Sequence, residues 1–384
     1  MRGEELTEYE KKLKQAKLLM ILGVLRKYSD ANNPLSQAEI GRLVEEEYEV
    51  KLYGKEDTKL IRRYLIIIRD FLNIADFGYT LEHSDRDKNV AHTFKGEATK
   101  LVEGVSLHGW YLDRSITDTE LSSLIDGLMY SKCMPVKECE SLAEELKGLT
   151  SIHFKKDIKH YGNKSANKQF FYNLELLSEA IEKGKRVSFN MLDYGTDSEG
   201  KPRIYSRNGE TPHTYKVSPY EIVVSNGRHI LLSSNSAGKN LCHYRVDYIR
   251  NLKFMKKNED GDDVDSNYIP NRPMKEMEGH ENGINLAEYM REHIYLYGGD
   301  SVPVEFIADK AATPSIINHI RDWFGNNANF SNETKNTVKV QVKVNEKAMF
   351  YWALQYGPSV EILKPKPLRK AVSKAVEQMW KKYR

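Results

Sequence analysis

The spacing of apolar residues changes twice along the 384-residue chain, and no single fold class accommodates all three spacings. Up to about residue 183 apolar positions recur every three to four residues, the period of a helix that buries one face. From Val187 to about Phe254 they alternate, the period of a strand. Beyond residue 300 short alternating runs and helical runs take turns. A chain of this length has room for two to three domains, each with its own core.

In the first helical stretch Leu13, Ala16, Leu19, Met20, Gly23 and Val24 share one stripe, and Asn32-Asn33-Pro34 makes a turn. Ser36 and Glu39 have the Ser-x-x-Glu spacing that satisfies free amides at a helix start, so a second helix begins there and buries Ile40, Leu43 and Val44. A third, from about Asp57 to Asn73, buries Ile61, Leu65, Ile68 and Leu72 and leaves Lys59, Arg62, Arg63 and Arg69 on other faces. Tyr79–His83 alternates like a strand, Trp110-Tyr111-Leu112 fits as its returning partner, and Arg86 and Lys88 fall near the tip between them. Three short helices and a hairpin are what a winged helix-turn-helix requires, in which the third helix enters the DNA major groove. Arginine can donate two bonds to guanine and lysine can reach phosphate, so Thr58, Lys59, Arg62 and Arg63 are the candidate DNA contacts. A plain helical bundle with one charged face has the same pattern.

Thr117 with Glu120 repeats the capping spacing, and Leu121, Leu124, Ile125 and Leu128 form the stripe of a helix separated by Pro135 from another that ends at Gly148. These two helices read as linker helices that pack against a partner or space two domains, and residues 155–168 as a flexible linker. A helix over 170–183 closes at Gly184, and short strands follow, two of them joined by Asn226-Gly227. Both residues of that pair accept the positive φ of a type I′ hairpin turn. Five or six strands in under 80 residues suggest a small antiparallel barrel or sandwich. The last section reads strand 302–307, helix 314–324, strand 338–344, helix 348–356, strand 360–363 and a helix from Pro367, an open α/β module of ferredoxin-like type.

The net charge of +3 conceals a marked asymmetry. Residues 151–256 hold 18 Lys/Arg against 10 Asp/Glu, a net +8, while 257–300 hold 4 against 11, a net −7. The basic third is a candidate polyanion binder, and the acidic run Glu259–Asp265 reads as a solvated linker without calcium-loop spacing. The longest apolar run, LLMILGVL at 18–25, has eight residues where a membrane span needs about 20. With an acidic start, MRGEELTEYE, this leads us to expect a cytoplasmic protein. Cys133, Cys139 and Cys242 lack zinc spacing, and no Walker loop, GxSxG, HExxH or Gly-rich dinucleotide motif occurs, so neither enzyme activity nor a cofactor is expected.

Three segments, in this order, resemble a known family. KVSPYEIVVSNGRHILLSS at 216–234 and YRVDYIRNL at 244–252 look like the core of a WYL domain, an Sm-like small β-barrel. WALQYGPSVEILKPKPLRKAV at 352–372 looks like its C-terminal extension, the WCX module. His229-Ile230-Leu231 stands where the family has Trp-Tyr-Leu, and Tyr248 where it has the second arginine of Arg-x-Asp-Arg-Ile, with Arg250 two places on. The resemblance implies an α+β multidomain regulator of transcription: winged helix-turn-helix at 1–113, helical linker at 114–165, WYL barrel at 166–258, acidic connector at 259–300 and ferredoxin-like WCX module at 301–384. It implies a homodimer on double-stranded DNA and a barrel that senses a nucleotide or single-stranded nucleic acid. His229 and Arg245 take the matching ligand-face positions, with Tyr215, Ser218 and Tyr220 flanking them and Arg250 nearby; Asp247 orients Arg245. The alternative is an accessory single-stranded RNA- or DNA-binding protein without promoter specificity, for which the Lys59/Arg62/Arg63 helix is not needed.

Overall fold

The computed structural model describes residues 16–52, 54–84, 109–157, 164–165, 167–196, 198–199, 202–206, 213–235, 241–277, 280 and 282–384. The chain is a mixed α+β protein of two compact units, Met1–Lys164 and Ser165–Arg384. No helix among the described residues is long and apolar enough to cross a membrane.

The first unit opens with a helix over residues 16–28 (α1), then α2 (Gln37–Tyr48) and α3 (Lys55–Ile74). At the start of α2 the Glu39 amide donates to Ser36 Oγ at 3.2 Å and the Ser36 amide to Glu39 Oε2 at 2.7 Å, the reciprocal cap that the spacing predicts. Ile40, Leu43 and Val44 of α2 and Ile61, Leu65, Ile68 and Leu72 of α3 meet Ile21, Val24 and Leu25 of α1 in one core. Of the stripe expected on α1, Val24 is buried and Met20 packs on the core, but Leu19 is 66% exposed, and Ile21 and Leu25, outside the expected stripe, are buried. Residues 18–25 are apolar throughout, so several faces fit the period, and packing against α2 and α3 selects one. Gly41 of α2 lies so close to the next segment that a Cβ there would sit 2.0 Å from the Leu52 carbonyl oxygen.

β1 (Tyr79–His83) pairs antiparallel with β2 (Trp110–Arg114), and Leu35 exchanges two 2.8 Å backbone bonds with Trp110 to add a third member. Arg86 and Lys88 lie outside the described residues. α4 (Asp118–Tyr130) and α5 (Val136–Lys147) pack through Leu121, Ile125, Met129, Cys139 and Ala143. They fall within the first compact unit. Just after α5 the Ser151 hydroxyl donates to Asp30 and the Ile152 amide donates to Lys27 O at 2.9 Å, tying the pair to the end of α1, and Arg114 at the end of β2 reaches the carbonyls of Arg26 and Ser29.

The second unit begins with α6 (Phe170–Glu182) and six antiparallel strands: β3 (Val187–Thr196), β4 (Pro202–Ser206), β5 (Thr214–Ser225), β6 (Arg228–Ser234), β7 (Leu241–Arg245) and β8 (Ile249–Phe254). Their order is β4-β3-β5-β6-β7, and β8 returns to pair with β3. Asn226 and Gly227 take φ of 50° and 72° between β5 and β6, as the hairpin requires. A single 3₁₀ turn, Val246–Tyr248, joins β7 to β8. The alternating Val187 and Phe189, with Val217, Leu231, Val246 and Ile249, are buried, as are Phe170, Leu177 and Ala180 of α6.

The acidic run after β8 is exposed to solvent, as expected, and it is also held in place by ion pairs. Asp263 pairs with Lys256 at 2.7 Å and Asp265 with Lys185 at 3.0 Å, while the backbone of 267–269 bonds to Arg186, Met255 and Lys257. The segment lies along the strands that precede it, and its charge meets theirs. After α7 (Leu286–Glu292) come β9 (Ser301–Asp309), α8 (Ile316–Phe324), β10 (Asn329–Ser331), β11 (Thr337–Asn345), α9 (Glu346–Gln355), β12 (Val360–Lys364) and α10 (Lys366–Tyr383). The antiparallel order β10-β11-β9-β12 includes a strand that periodicity did not reveal, because β10 has only three residues. The strict alternation in β11 buries Val338, Val340, Val342 and Val344 under Trp352 of α9.

Candidate nucleic-acid and ligand surfaces

In the first unit the surface in question is the outer face of α3. The Gly54 amide donates to Asp57 Oδ2 at 2.9 Å, and the Thr58 hydroxyl donates back to Gly54 O at 3.2 Å, so the first turn is closed by its own side chains. Thr58, Lys59 and Arg63 are exposed and Arg62 is half-buried. Lys59 pairs with Glu56 at 2.9 Å, but both side chains are mostly in solvent, where such a pair is worth well under about 1 kcal/mol and yields readily to a phosphate. Arg69 does not extend this face, since its side chain is only 13% exposed and lies beside buried Asp70. The basic surface of α3 therefore occupies its first half.

In the second unit the expected ligand residues divide into separate environments. Tyr215 stacks on Phe189 with centroids 5.6 Å apart and meets Tyr244 and His213 edge-on. Ser218 and Tyr220 do not flank Arg245. Buried Ser218 accepts a bond from the Arg272 amide at 3.0 Å, and the Tyr220 hydroxyl donates to the Arg272 carbonyl at 2.9 Å while bonding Ser234, so this pair holds the connector. Arg250 donates to the carbonyls of Asp247 and Ile249, supporting the 3₁₀ turn.

Asp247 is the centre of what remains. Its side chain is 1% exposed and accepts two bonds from Arg245, at 3.1 and 2.5 Å, and a third from Arg228 at 3.4 Å. The Arg245 guanidinium also lies 3.6 Å over the Tyr248 ring. His229 packs edge-on against Phe170 at 5.1 Å, and burial holds its imidazole below the ordinary pKa although Asp247 opposes the shift. The turn bearing Asp247 is fixed from behind, where Asn167 donates to the Asp247 carbonyl at 3.0 Å and Asn173 to the Ile249 carbonyl at 3.1 Å. Two guanidiniums on one carboxylate leave a net positive charge, part-exposed and bordered by an aromatic ring, which suits a phosphate attached to a base. Sequence reasoning missed Arg228. Its signal was its place immediately after the Asn-Gly turn, which sets Arg228 opposite Ser225 at the same sheet end as Asp247.

Residues 172–254 match the WYL domain family model, and this segment of the chain is a WYL domain. Among solved structures the chain is similar to proteasome accessory factor B/C (PafBC) of Arthrobacter aurescens, with 14% identity over 69% of this chain and 37% of that one and a TM-score of 0.23. It thus spans little more than a third of that protein's length. A CRISPR Cas-related protein is similar at 16% identity over 71% of this chain and 75% of that one, with a TM-score of 0.36. No curated protein matches the chain.

Proposed function

We propose that this chain is a ligand-responsive, DNA-binding regulator of transcription, a cytoplasmic homodimer that binds rather than transforms its partners. In this reading α1 to α3 with β1 and β2 form a winged helix-turn-helix, α3 reads the major groove of double-stranded DNA, and Lys59, Arg62 and Arg63 supply the contacts. Thr58, turned back on its own helix end, stands beside them. The strand order β8-β3-β5-β6-β7 behind α6 supports the Sm-like barrel. The βαββαβ succession with order β10-β11-β9-β12 supports a ferredoxin-like WCX module. A nucleotide or single-stranded nucleic acid binds at Arg228, Arg245 and Tyr248, and switches the protein only so far as it prefers one arrangement of the DNA-binding units.

The observation that carries this reading is the conjunction of an exposed basic half-helix on a capped three-helix unit with a WYL domain in one chain. Its test uses two variants and two probes. Arg62→Ala with Arg63→Ala should weaken binding to the DNA upstream of the protein's own gene by at least tenfold in a gel shift, each lost base contact costing about 1–3 kcal/mol. The same protein should hold a labelled single-stranded oligonucleotide as before. Arg245→Ala should do the reverse. Unchanged promoter binding in the double variant refutes the assignment. Steeply salt-dependent binding without sequence preference would instead establish the accessory single-strand-binding role.

A further inference from the structure

A helix of seven residues does not hold itself in water, so α7 keeps its shape by what it is packed against. On one side that is the WYL domain. Tyr289 and Met290, with Leu296 just beyond the helix, pack on Val223, Ile230 and Leu232 in a small cluster of their own. The Tyr289 hydroxyl is also bonded to His243 Nε2 at 2.7 Å. On the other side is the C-terminal sheet, where Ile294 joins the core and Glu292, 8% exposed, pairs with Lys343 of β11 at 2.7 Å.

The seat of α7 on the WYL domain adjoins the arginines around Asp247. Ile230 lies directly opposite Arg245 in the register of β6 and β7, and Leu232 opposite His243. Opposite residues of antiparallel strands share a face, as do alternate residues of one strand. Arg228, Ile230 and Leu232 of β6 are therefore on one surface with Arg245 and His243 of β7. The joint that follows α7 is strained. Leu296 has a φ of 51°, which a leucine rarely adopts, and keeps it with its side chain seated on the cluster. Gly299 follows with a φ of 107°, and a Cβ on Gly298 would sit 3.3 Å from the Leu241 carbonyl oxygen. Unseating Leu296 frees this backbone to relax.

We propose that α7 is a ligand-dependent clasp: a nucleotide or oligonucleotide held by Arg228 and Arg245 extends over Ile230 onto α7, tightens its seat, and so fixes the WYL domain against the C-terminal sheet. This rests on the ligand reading above and supplies its switch. The two states are α7 seated and α7 released. Phosphate on the arginines leaves the attached sugar or base beside Ile230, where it shields the apolar seat and touches more of the seated state than of the released one. A cluster of three buried residues held against a strained turn opens readily, so a modest preference shifts its population. The effect is reciprocal: loosening the seat lowers the affinity for the ligand.

Hydrogen exchange of the full chain, with and without the labelled single-stranded oligonucleotide, tests it. The amides of Tyr289, His293 and Leu296, bonded to the carbonyls of Asn285, Tyr289 and His293, should exchange at least fivefold more slowly in the complex. Met290→Ala with Leu296→Ala leaves both arginines in place and should still weaken oligonucleotide binding at least threefold, while unchanged exchange in β9 and β11 shows that this variant is folded. Unchanged or faster exchange in α7, in a complex that Arg245→Ala abolishes, overturns the clasp and leaves the ligand site standing. An α7 variant with unaltered oligonucleotide affinity overturns the clasp as well. Binding that Arg245→Ala does not weaken overturns the ligand reading itself.

Discussion

His243, on β7, is bonded to the Tyr289 hydroxyl of α7 at 2.7 Å, and the Tyr289 ring is stacked on His293 at 3.9 Å. Burial, with repulsion from the His293 imidazole, pushes His243 down to about 4. A histidine whose folded pKa is depressed stabilises the fold fully above the unfolded value near 6.5 and loses that contribution as pH falls toward the folded value. Stability of the second unit should therefore drop between pH 6.5 and 4 with a slope approaching about 1.4 kcal/mol per pH unit from this group. His243→Gln, which keeps a partner for Tyr289, should flatten that slope in denaturant titrations, and an unchanged slope would exclude His243 as its source. This pairing was invisible in the sequence, because 46 residues separate the two side chains. Separations of 54 and 52 residues likewise hid the service of Ser218 and Tyr220 to Arg272. Asp247 was legible as the partner of Arg245 because both belong to one short turn.

The capping of α2 and α4 could be read directly, since each box spans four consecutive residues and needs no tertiary partner. Removing the Ser36 hydroxyl by Ser36→Ala should cost about 1 kcal/mol in the first unit. Gly41→Ala, which would gain helix propensity in an isolated peptide, should instead destabilise by about 1–3 kcal/mol, because a backbone carbonyl cannot move aside as a side chain can. Equilibrium unfolding of the two variants side by side distinguishes a local cap from a tertiary approach. The phase of α1 and the existence of β10 belong to the second kind, since neighbours decide them. α5 and the residues after it illustrate the same limit: their helical pattern was plain, but the bonds that make them part of the first unit run to residues 27–30.

For the molecule as a whole, the charge asymmetry was legible as an amount and misread as a location. The basic region around β3 to β8 and the acidic run are adjacent in three dimensions, with Lys185, Lys253 and Lys256 facing Asp265, Glu259 and Asp263. Neutralising the three acids by Glu259→Gln, Asp263→Asn and Asp265→Asn should tighten binding of a single-stranded oligonucleotide at low salt. It should also steepen the dependence of log affinity on log salt by up to about 2, at roughly 0.7 for each lysine released. An unchanged slope would mean that these lysines do not meet nucleic acid. The acidic run is in effect a tethered competitor, a polyanion held at high local concentration beside the surface that would bind another. A nucleic acid gains from these lysines only what exceeds the contacts it displaces. On the proposed reading, indiscriminate attraction would thereby be discounted, and a ligand that also engaged the arginines around Asp247 would keep its advantage.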